Sequence, residues 1–285
     1  MKLATLQTSS GPRVVSVHGD KYVDLRSGHE AVPATLKGLL SLEGWHAFAA
    51  STEKAAIAKG AFVTGDLLAP IGDPEKVVCI GLNYRDHAEE SGQPIPGEPV
   101  CFNKFPTAVT GHGAPVPLPS VCTQIDYEAE LVVVIGKTAK HVSEQDALKY
   151  VAGYMNGNDV SARDWQLNKP GKQWLMGKTP DGFAPTGPWL VTADEVADPG
   201  QLAISLTLNG QTMQNSSTKE LIFNIPQLIA YLTQIVTLKP GDLIFTGTPP
   251  GVGMARKPPV FLKPGDTMSV TIAGLGTLTN PCTAG

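Results

Sequence analysis

Apolar and polar positions alternate with several different periods along the chain, and these periods predict many short strands and few helices. Residues 1–25 alternate in short segments separated by turns, which predicts a small set of antiparallel strands. Apolar residues spaced three and four apart predict a helix over 43–59 and an amphipathic helix over 226–236. Ser143 is expected to cap a further helix that runs through Val151.

Two turns with the same sequence, Lys-Pro-Gly-Asp, occur at 239–242 and 263–266. Proline followed by glycine fits the central positions of a type II turn, so each turn is expected to introduce a strand.

The β-branched run Leu131–Ile135 predicts a buried strand. It is also the longest strongly apolar run, and because it is far shorter than a membrane span, no membrane partner is expected.

Two glutamates stand at the head of this buried strand. Because side chains alternate along a strand, Glu128 and Glu130 should project to one face, which Val132 and Val134 continue. Burying unpaired carboxylates is costly, and a hard divalent cation with oxygen ligands would compensate their charge. The pattern therefore indicates a metal site, and the alternative is a pair of hydrated carboxylates at the end of the strand.

A histidine and a glutamate could act together further towards the N-terminus. If residues 84–90 form a helical turn, His87 and Glu90 are i, i+3 neighbours, and the carboxylate would orient the imidazole as a general base. A hydrated helix face is the alternative, because this short motif also arises by chance. The Pro- and Gly-rich segment 92–99 that follows is expected to be a mobile flap.

A second cluster of polar residues follows the glutamates. Asp159 could supply a third carboxylate, while Arg163 and Gln166 would share a helix face and hold a carboxylate or keto oxygen. Lys178 lies among apolar and glycine residues and could face inward as a cation beside an oxyanion. Ordinary surface polar residues and a snorkelling lysine are the alternatives. Thr248 lies in a Gly- and Pro-rich loop without the ending of a phosphate loop, and it could contact a ligand.

Composition and charge narrow the function classes. The formal net charge is −4 without any basic run, so nucleic acid is not an expected partner. The four cysteines have no Cys-x-x-Cys spacing, and no apolar leader stands at the N-terminus, so reduced thiols and a cytoplasmic location are expected. The length and a Pro-rich linker suggest a small N-terminal α+β domain at 1–68 and a larger domain at 75–285.

Five blocks of the sequence share their order and spacing with a known family. They comprise 81–87, 126–131, 158–166, Lys178 and 246–253. Together they resemble the fumarylacetoacetate hydrolase superfamily, and the resemblance runs from about residue 75 to the C-terminus. It implies an α+β, mostly β fold, a mixed β-roll with a small N-terminal domain, and a homodimer.

The resemblance also implies roles for individual residues. Positions matching Glu128, Glu130 and Asp159 hold a divalent metal in that superfamily, usually Mg²⁺, with Mn²⁺ or Ca²⁺ as alternatives. The catalytic residues would be His87 and Glu90, which match a lid pair that activates water, together with Lys178. The residues expected to bind substrate are Asn83, Tyr84, Arg163, Gln166 and Thr248.

The resemblance therefore predicts an Mg-dependent hydrolase acting on a small-molecule 2,4-dioxo acid. The substrate would be an acylpyruvate or a 2,4-dioxo-3-deoxy sugar acid, and cleavage of a C–C bond would give a pyruvate-like acid and a second carboxylic acid. One alternative is a metal-dependent decarboxylase or isomerase of a 2-oxo dicarboxylate, and another is a non-catalytic 2-oxo-acid-binding protein. Pro180 differs from the residues common at this position in the superfamily, which leaves the substrate open.

Overall fold

Strands dominate the architecture. The computed structural model describes residues 1–285. The strands are β1 Lys2–Thr8, β2 Gly11–His18, β3 Lys21–Asp24, β4 Phe62–Val63, β5 Asp66–Leu68, β6 Val77–Gly81, β7 Val100–Lys104, β8 Val109–Thr110, β9 Val116–Leu118, β10 Ile125–Asp126, β11 Ala129–Ile135, β12 Val151–Asn158, β13 Ser161–Ala162, β14 Ala184–Thr192, β15 Ala203–Leu208, β16 Gln211–Ser217, β17 Leu243–Phe245, β18 Thr267–Ile272 and β19 Gly276–Ala284. This content confirms the predicted α+β, mostly β class.

The helices are few and mostly short. They are α1 Leu25–Gly28, α2 Leu36–Leu40, α3 Trp45–Ala58, α4 Arg85–Ser91, α5 Arg163–Asn168, α6 Trp174–Lys178 and α7 Ile225–Ile235. The two longest, α3 and α7, lie where the three- and four-residue spacing predicted them. None of the helices combines the length and apolarity that crossing a bilayer requires.

Two sheets enclose most of the core. The larger has twelve strands, ordered β4-β3-β2-β1-β14-β12-β11-β17-β6-β7, with β5 beside β1 and β8 beside β14. The second sheet has the order β16-β15-β18-β19-β9, and β10 and β13 form a separate pair. β17 and β6 are parallel whereas β11 and β12 are antiparallel, so the sheet is mixed, as the predicted β-roll requires.

The strand β11 lies at the centre of the molecule and is buried along its whole length. Leu131 and Val133 belong to the apolar cluster shared with the five-stranded sheet, which supplies residues such as Leu206. Val132 and Val134 belong to the cluster on the other side, which includes the N-terminal helices. β11 is therefore covered on both faces, which explains its continuous apolar sequence.

The N-terminal part of the chain is continuous with the rest of the fold. The antiparallel strands predicted within 1–25 are present as β1 to β3, and β1 also pairs with β14 through Leu3 and Leu190. Leu3 and Leu36 contribute to the same apolar cluster as Val132. The division into domains at 1–68 and 75–285 stays a prediction, and the two parts share one sheet.

The two predicted turns are confirmed, whereas one predicted helix is not. In the two Lys-Pro-Gly-Asp turns, Gly241 and Gly265 adopt φ angles of 83° and 95°, and strands β17 and β18 follow. The helix expected after Ser143 is wrong: only a 3-10 turn forms at Ala147–Tyr150, and Val151 already belongs to β12. Pairing of β12 along β11 leaves no residues for a longer helix.

Candidate metal centre

Three buried carboxylates converge at one end of β11. Glu128 directly precedes β11, Glu130 is its second residue, and Asp159 directly follows the neighbouring strand β12. The antiparallel register pairs Ala129 with Asn158, and the Asp159 amide donates to the Glu128 carbonyl at 2.9 Å. One carboxylate oxygen from each of the three acids lies within 4.8 Å of the other two. All three side chains are buried, so hydrated carboxylates at the end of the strand are not observed.

Two cationic side chains pair with these acids. The Lys178 Nζ lies 2.7 Å from Glu128 Oε2 and 2.9 Å from Asp159 Oδ2. Arg163 Nη2 donates to Glu128 Oε1 at 2.6 Å. Lys178 is only 2% exposed, so it faces inward as the sequence indicated and does not snorkel to the surface. Arg163 is the first residue of α5 and Lys178 is the last residue of α6, and these two short helices pack against each other.

Close packing of α5 and α6 depends on a glycine. A Cβ added to Gly177 would lie 2.6 Å from the backbone nitrogen of Gln166, too close for any other residue without a shift. Because Lys178 follows directly, this contact fixes where its side chain enters the site. Gly177 therefore allows the two helices to pack closely enough for Arg163 and Lys178 to contact the same carboxylate.

Two further charged residues complete the cluster, and sequence reasoning gave neither a role. Lys104, from β7, lies 2.5 Å from Asp159 Oδ1 and donates to the carbonyls of Val160 and Phe183. Asp126 Oδ2 accepts from Arg163 Nε at 3.0 Å. Asp126 stands in one of the blocks that carry the family resemblance, which was a usable signal. Nothing local identifies Lys104, because its contact depends on how distant strands are ordered.

The two glutamates have opposite electrostatic environments. Burial acts to raise the pKa of Glu128, but Lys178 and Arg163 outweigh it and lower the pKa to about 2. Burial, together with the charges of Asp159 and Glu128, raises the pKa of Glu130 well above its ordinary value. Glu130 receives only the backbone amide of Gly247, at 2.8 Å, as a hydrogen-bond donor. Its carboxylate is therefore the one that lacks a cationic partner.

This imbalance fits a divalent cation. The cluster contains four buried carboxylates, including Asp126, against three buried cations, and the uncompensated acid is Glu130. An all-carboxylate donor set is typical of hard cations such as Mg²⁺, Mn²⁺ and Ca²⁺. Glu128, Glu130 and Asp159 can hold such an ion, while the identity of the ion stays a prediction.

The expected histidine–glutamate pair lies next to this cluster. His87 and Glu90 lie on α4, and His87 Nδ1 is 3.1 Å from Glu90 Oε2. The Glu90 carboxylate also accepts from the backbone amide of Gly251, which links α4 to the Gly- and Pro-rich loop. Because Nδ1 is engaged by Glu90, Nε2 is the ring nitrogen left for a ligand in the cavity that His87 lines.

A cavity of about 370 Å³ opens over the carboxylates. Glu128, Glu130, Arg163, Lys178 and His87 contribute its polar lining. Its apolar wall includes Phe102, Trp174, Val100, Leu82 and Met254, none of which was predicted to be a site residue. The volume and the mixed lining suit a small organic acid rather than a large ligand.

Gln166 and Thr248 also line the cavity, as expected of substrate-binding residues. Gln166 Oε1 accepts from Arg163 Nη1 at 3.0 Å, which leaves its amide nitrogen without a protein partner. The Thr248 hydroxyl donates to the Ala129 carbonyl and accepts from Gln214 Nε2, so it already has two partners. Their contact with a substrate stays a prediction.

The structure places Asn83 and Tyr84 outside this cavity. The Asn83 side chain donates to the carbonyls of Phe223 and Thr246 and accepts from the Phe223 amide. With these groups engaged, Asn83 holds two loops together instead of facing a ligand. Tyr84 is fully buried and its hydroxyl lacks a hydrogen-bond partner, and burial raises its pKa. The expected contact of these two residues with substrate therefore has no support in this geometry.

The structure thus combines a mixed β-roll, three buried carboxylates that could hold a metal ion, and a small cavity above them. The family model described as "Fumarylacetoacetate (FAA) hydrolase C-terminal" matches residues 76–283. The chain belongs to the fumarylacetoacetate hydrolase family, as the resemblance of its sequence blocks indicated.

Individual relatives carry more specific names. "Oxaloacetate tautomerase fahd2, mitochondrial" from Xenopus laevis is 44% identical over 99% of this chain and 90% of its own length. "Oxaloacetate tautomerase FAHD2A, mitochondrial" from Homo sapiens is 51% identical over 75% of this chain and 68% of its own. The structure of a fumarylacetoacetate hydrolase from Exiguobacterium antarcticum has a TM-score of 0.86 and 33% identity, with 100% of both chains covered.

These relatives correct two expectations. The predicted cytoplasmic location is wrong by this comparison, since the names of the Xenopus and human relatives place those proteins in mitochondria. Thiol content and the N-terminal residues were too weak a signal to decide a compartment. The predicted C–C bond hydrolase is less well supported than its isomerase alternative, because the names of these two relatives describe tautomerases.

Proposed function

We propose that the protein catalyses the metal-dependent keto–enol tautomerisation of a 2-oxo dicarboxylate of the oxaloacetate type. The observation that carries this proposal is the buried cluster of Glu128, Glu130 and Asp159. Glu128 and Glu130 line the same cavity as His87. The names of the two oxaloacetate tautomerase relatives support the choice of substrate class.

The residues present can perform a proton transfer between carbon and oxygen. A divalent cation held by the three carboxylates would polarise the 2-oxo oxygen of the substrate and stabilise negative charge there. His87, which Glu90 orients through Nδ1, would move the proton to or from C3 with its Nε2. Lys178 adds a fixed positive charge in the buried part of the site.

The tautomerisation balances without a further reactant. In the direction from enol to keto, the enol O–H proton is lost, the C=C electron pair takes up a proton at C3, and the C2–O bond becomes a carbonyl. No water is consumed and no C–C bond breaks. His87 can serve as the group that returns the proton to C3, with Glu90 stabilising its protonated form.

Hydrolysis of a 2,4-dioxo acid remains the second candidate because the same pair could activate water. His87 and Glu90 have the hydrogen-bonded geometry of a general base and its orienting carboxylate. Hydrolysis and tautomerisation share the metal site and differ in whether a water molecule attacks the substrate.

The decay of the enol absorbance of oxaloacetate tests the proposal, measured against the uncatalysed rate with Mg²⁺, with Mn²⁺ and with EDTA. We expect catalysis only with metal, loss of catalysis in Glu130→Gln, and a decrease of about 100- to 10,000-fold in His87→Ala, the range for general acid–base catalysis. His46→Ala is the matched control, because His46 is a surface residue that pairs with Asp194.

Product analysis separates the candidates. In D₂O, a tautomerase leaves intact oxaloacetate with deuterium introduced at C3, whereas a hydrolase releases two acids from an acylpyruvate. Full turnover by His87→Ala, or metal-independent turnover, would contradict the proposed mechanism. Tight binding of 2-oxo acids without turnover of either substrate would favour the non-catalytic alternative.

A further inference from the structure

One cation in the cavity has no carboxylate partner. Arg163 and Lys178 line the cavity, but both are ion-paired with Glu128. Lys172 also lines the cavity, from the loop that joins α5 to α6, and its ammonium group forms no ion pair within 4.0 Å. Lys172 is exposed, so its charge is available to a ligand that enters from solvent.

Binding of a dicarboxylate would require one more positive charge than the ion-paired residues and a divalent metal provide. The four buried carboxylates exceed their three cationic partners by one charge, and a divalent metal would turn this deficit into an excess of one positive charge. That excess matches one carboxylate of a substrate. A dicarboxylate carries a second negative charge, and a desolvated carboxylate without a partner would weaken binding. Lys172 can supply the missing positive charge.

The backbone around Lys172 holds this position in the cavity wall. Gly171 and Lys172 have φ angles of 74° and 54°, and the Lys172 amide donates to the Lys169 carbonyl at 3.0 Å. Positive φ is uncommon for a residue other than glycine. The chain turns here before Trp174, whose ring packs edge-to-face on Phe102 at 5.3 Å between centroids. This packing anchors the C-terminal side of the loop against the apolar wall.

We propose that Lys172 binds the distal carboxylate of a dicarboxylate substrate and thereby selects dicarboxylates over monocarboxylates. The inference rests on the proposed function for the identity of the reaction, but it concerns binding alone. Lys172 is a specificity residue, and it takes no part in the proton transfer at C3.

Calorimetric titration with two unreactive 2-hydroxy acids tests this role. Malate has a distal carboxylate and lactate lacks one, so the ratio of their dissociation constants for the Mg²⁺-loaded protein measures selectivity. In Lys172→Met we expect malate to bind about 10-fold more weakly, as for the loss of a charge-assisted hydrogen bond, with lactate nearly unchanged. Lys172→Arg keeps the charge and should retain most of the selectivity.

Lys169→Met is the matched control. Lys169 lies in the same loop and is exposed, but it stacks on the Trp165 ring at 4.6 Å and does not line the cavity. Equal weakening of malate and lactate in Lys172→Met, unchanged malate binding, or the same loss of selectivity in Lys169→Met would overturn the inference.

Steady-state kinetics with oxaloacetate distinguish a failure of this inference from a failure of the proposed function. With oxaloacetate, Lys172→Met should raise KM and leave kcat close to that of the wild type. If the wild-type protein does not turn over oxaloacetate but still prefers malate through Lys172, the proposed function fails and the carboxylate subsite stands. If turnover of oxaloacetate is normal and Lys172→Met leaves the selectivity for malate over lactate unchanged, only the proposed carboxylate subsite is refuted.

Discussion

Glu128 and Glu130 are two residues apart, yet their neutralisation should change the stability of the metal-free protein in opposite directions. The perturbations are Glu128→Gln and Glu130→Gln, each of which removes one charge and keeps nearly the same shape. Glu128 is ion-paired with Lys178 and Arg163, whereas Glu130 has no cationic partner. The comparison therefore tests whether the cluster is one negative charge in excess.

The magnitude for Glu128 follows from its pKa. A decrease from 4.5 to about 2 corresponds to roughly 3 kcal/mol at about 1.4 kcal/mol per pKa unit. This agrees with the loss of about 3–5 kcal/mol when one partner of a buried ion pair is removed. Because the folded-state pKa is lowered, this contribution is present above pH 4.5 and disappears as the pH falls towards 2.

The sign for Glu130 is opposite. Its folded-state pKa is raised, so its contribution becomes more unfavourable as the pH rises above 4.5 towards that raised pKa. Glutamine keeps an acceptor oxygen for the Gly247 amide and has no charge to bury. We expect metal-free Glu130→Gln to be as stable as the wild type or more stable by about 1 kcal/mol at pH 7, with the gain vanishing near pH 4.

Urea unfolding followed by circular dichroism in EDTA, at pH 7 and pH 4, measures both effects. Glu144→Gln is the control, because Glu144 is exposed and its neutralisation should change stability by less than about 0.5 kcal/mol. Added Mg²⁺ at 100 times its Kd should stabilise the wild type by about 2.7 kcal/mol. The same addition should leave Glu130→Gln unchanged.

Equal destabilisation by Glu128→Gln and Glu130→Gln in EDTA would refute the charge argument, because Glu130 would then have a compensating partner. Stabilisation of Glu130→Gln by Mg²⁺ to the same extent as the wild type would refute its role as a ligand. Either result would be visible in unfolding curves without any assay of activity.

Two further substitutions test Lys104 and Asn83, whose contacts come from distant parts of the chain. Lys104→Met removes one of the two buried lysines that pair with Asp159 and leaves Lys178 as the other. It should lower the free energy of unfolding by about 3–5 kcal/mol, measured by urea unfolding, and a change below about 1 kcal/mol would contradict its pairing. Asn83→Ala removes the contacts with Phe223 and Thr246 and should lower stability by about 1–3 kcal/mol with KM little changed. A large increase in KM at unchanged stability would instead restore Asn83 as a substrate-binding residue.

Several features of this protein are determined locally and could be predicted from the sequence. The run after Glu130 has the β-branched composition of a doubly buried strand, and alternation along it places Glu128 and Glu130 on one face. The i, i+3 spacing of His87 and Glu90 brings them into contact on any helical turn. Both type II turns follow from proline and glycine because these residues restrict or permit particular φ angles.

Other features depend on contacts between distant parts of the chain. Lys104 reaches Asp159 only because β6 pairs with β17 and β7 pairs with β6 in the sheet. The Asn83 side chain is hydrogen-bonded only because the loop around Phe223 packs on it. The helix predicted after Ser143 gave way to β12, whose pairing with β11 outweighs local propensity. Sequence alone determined the family, the paired carboxylates and the local turns. Only the tertiary structure decided which charges are compensated, because burial and ion pairing depend on which residues the fold brings together.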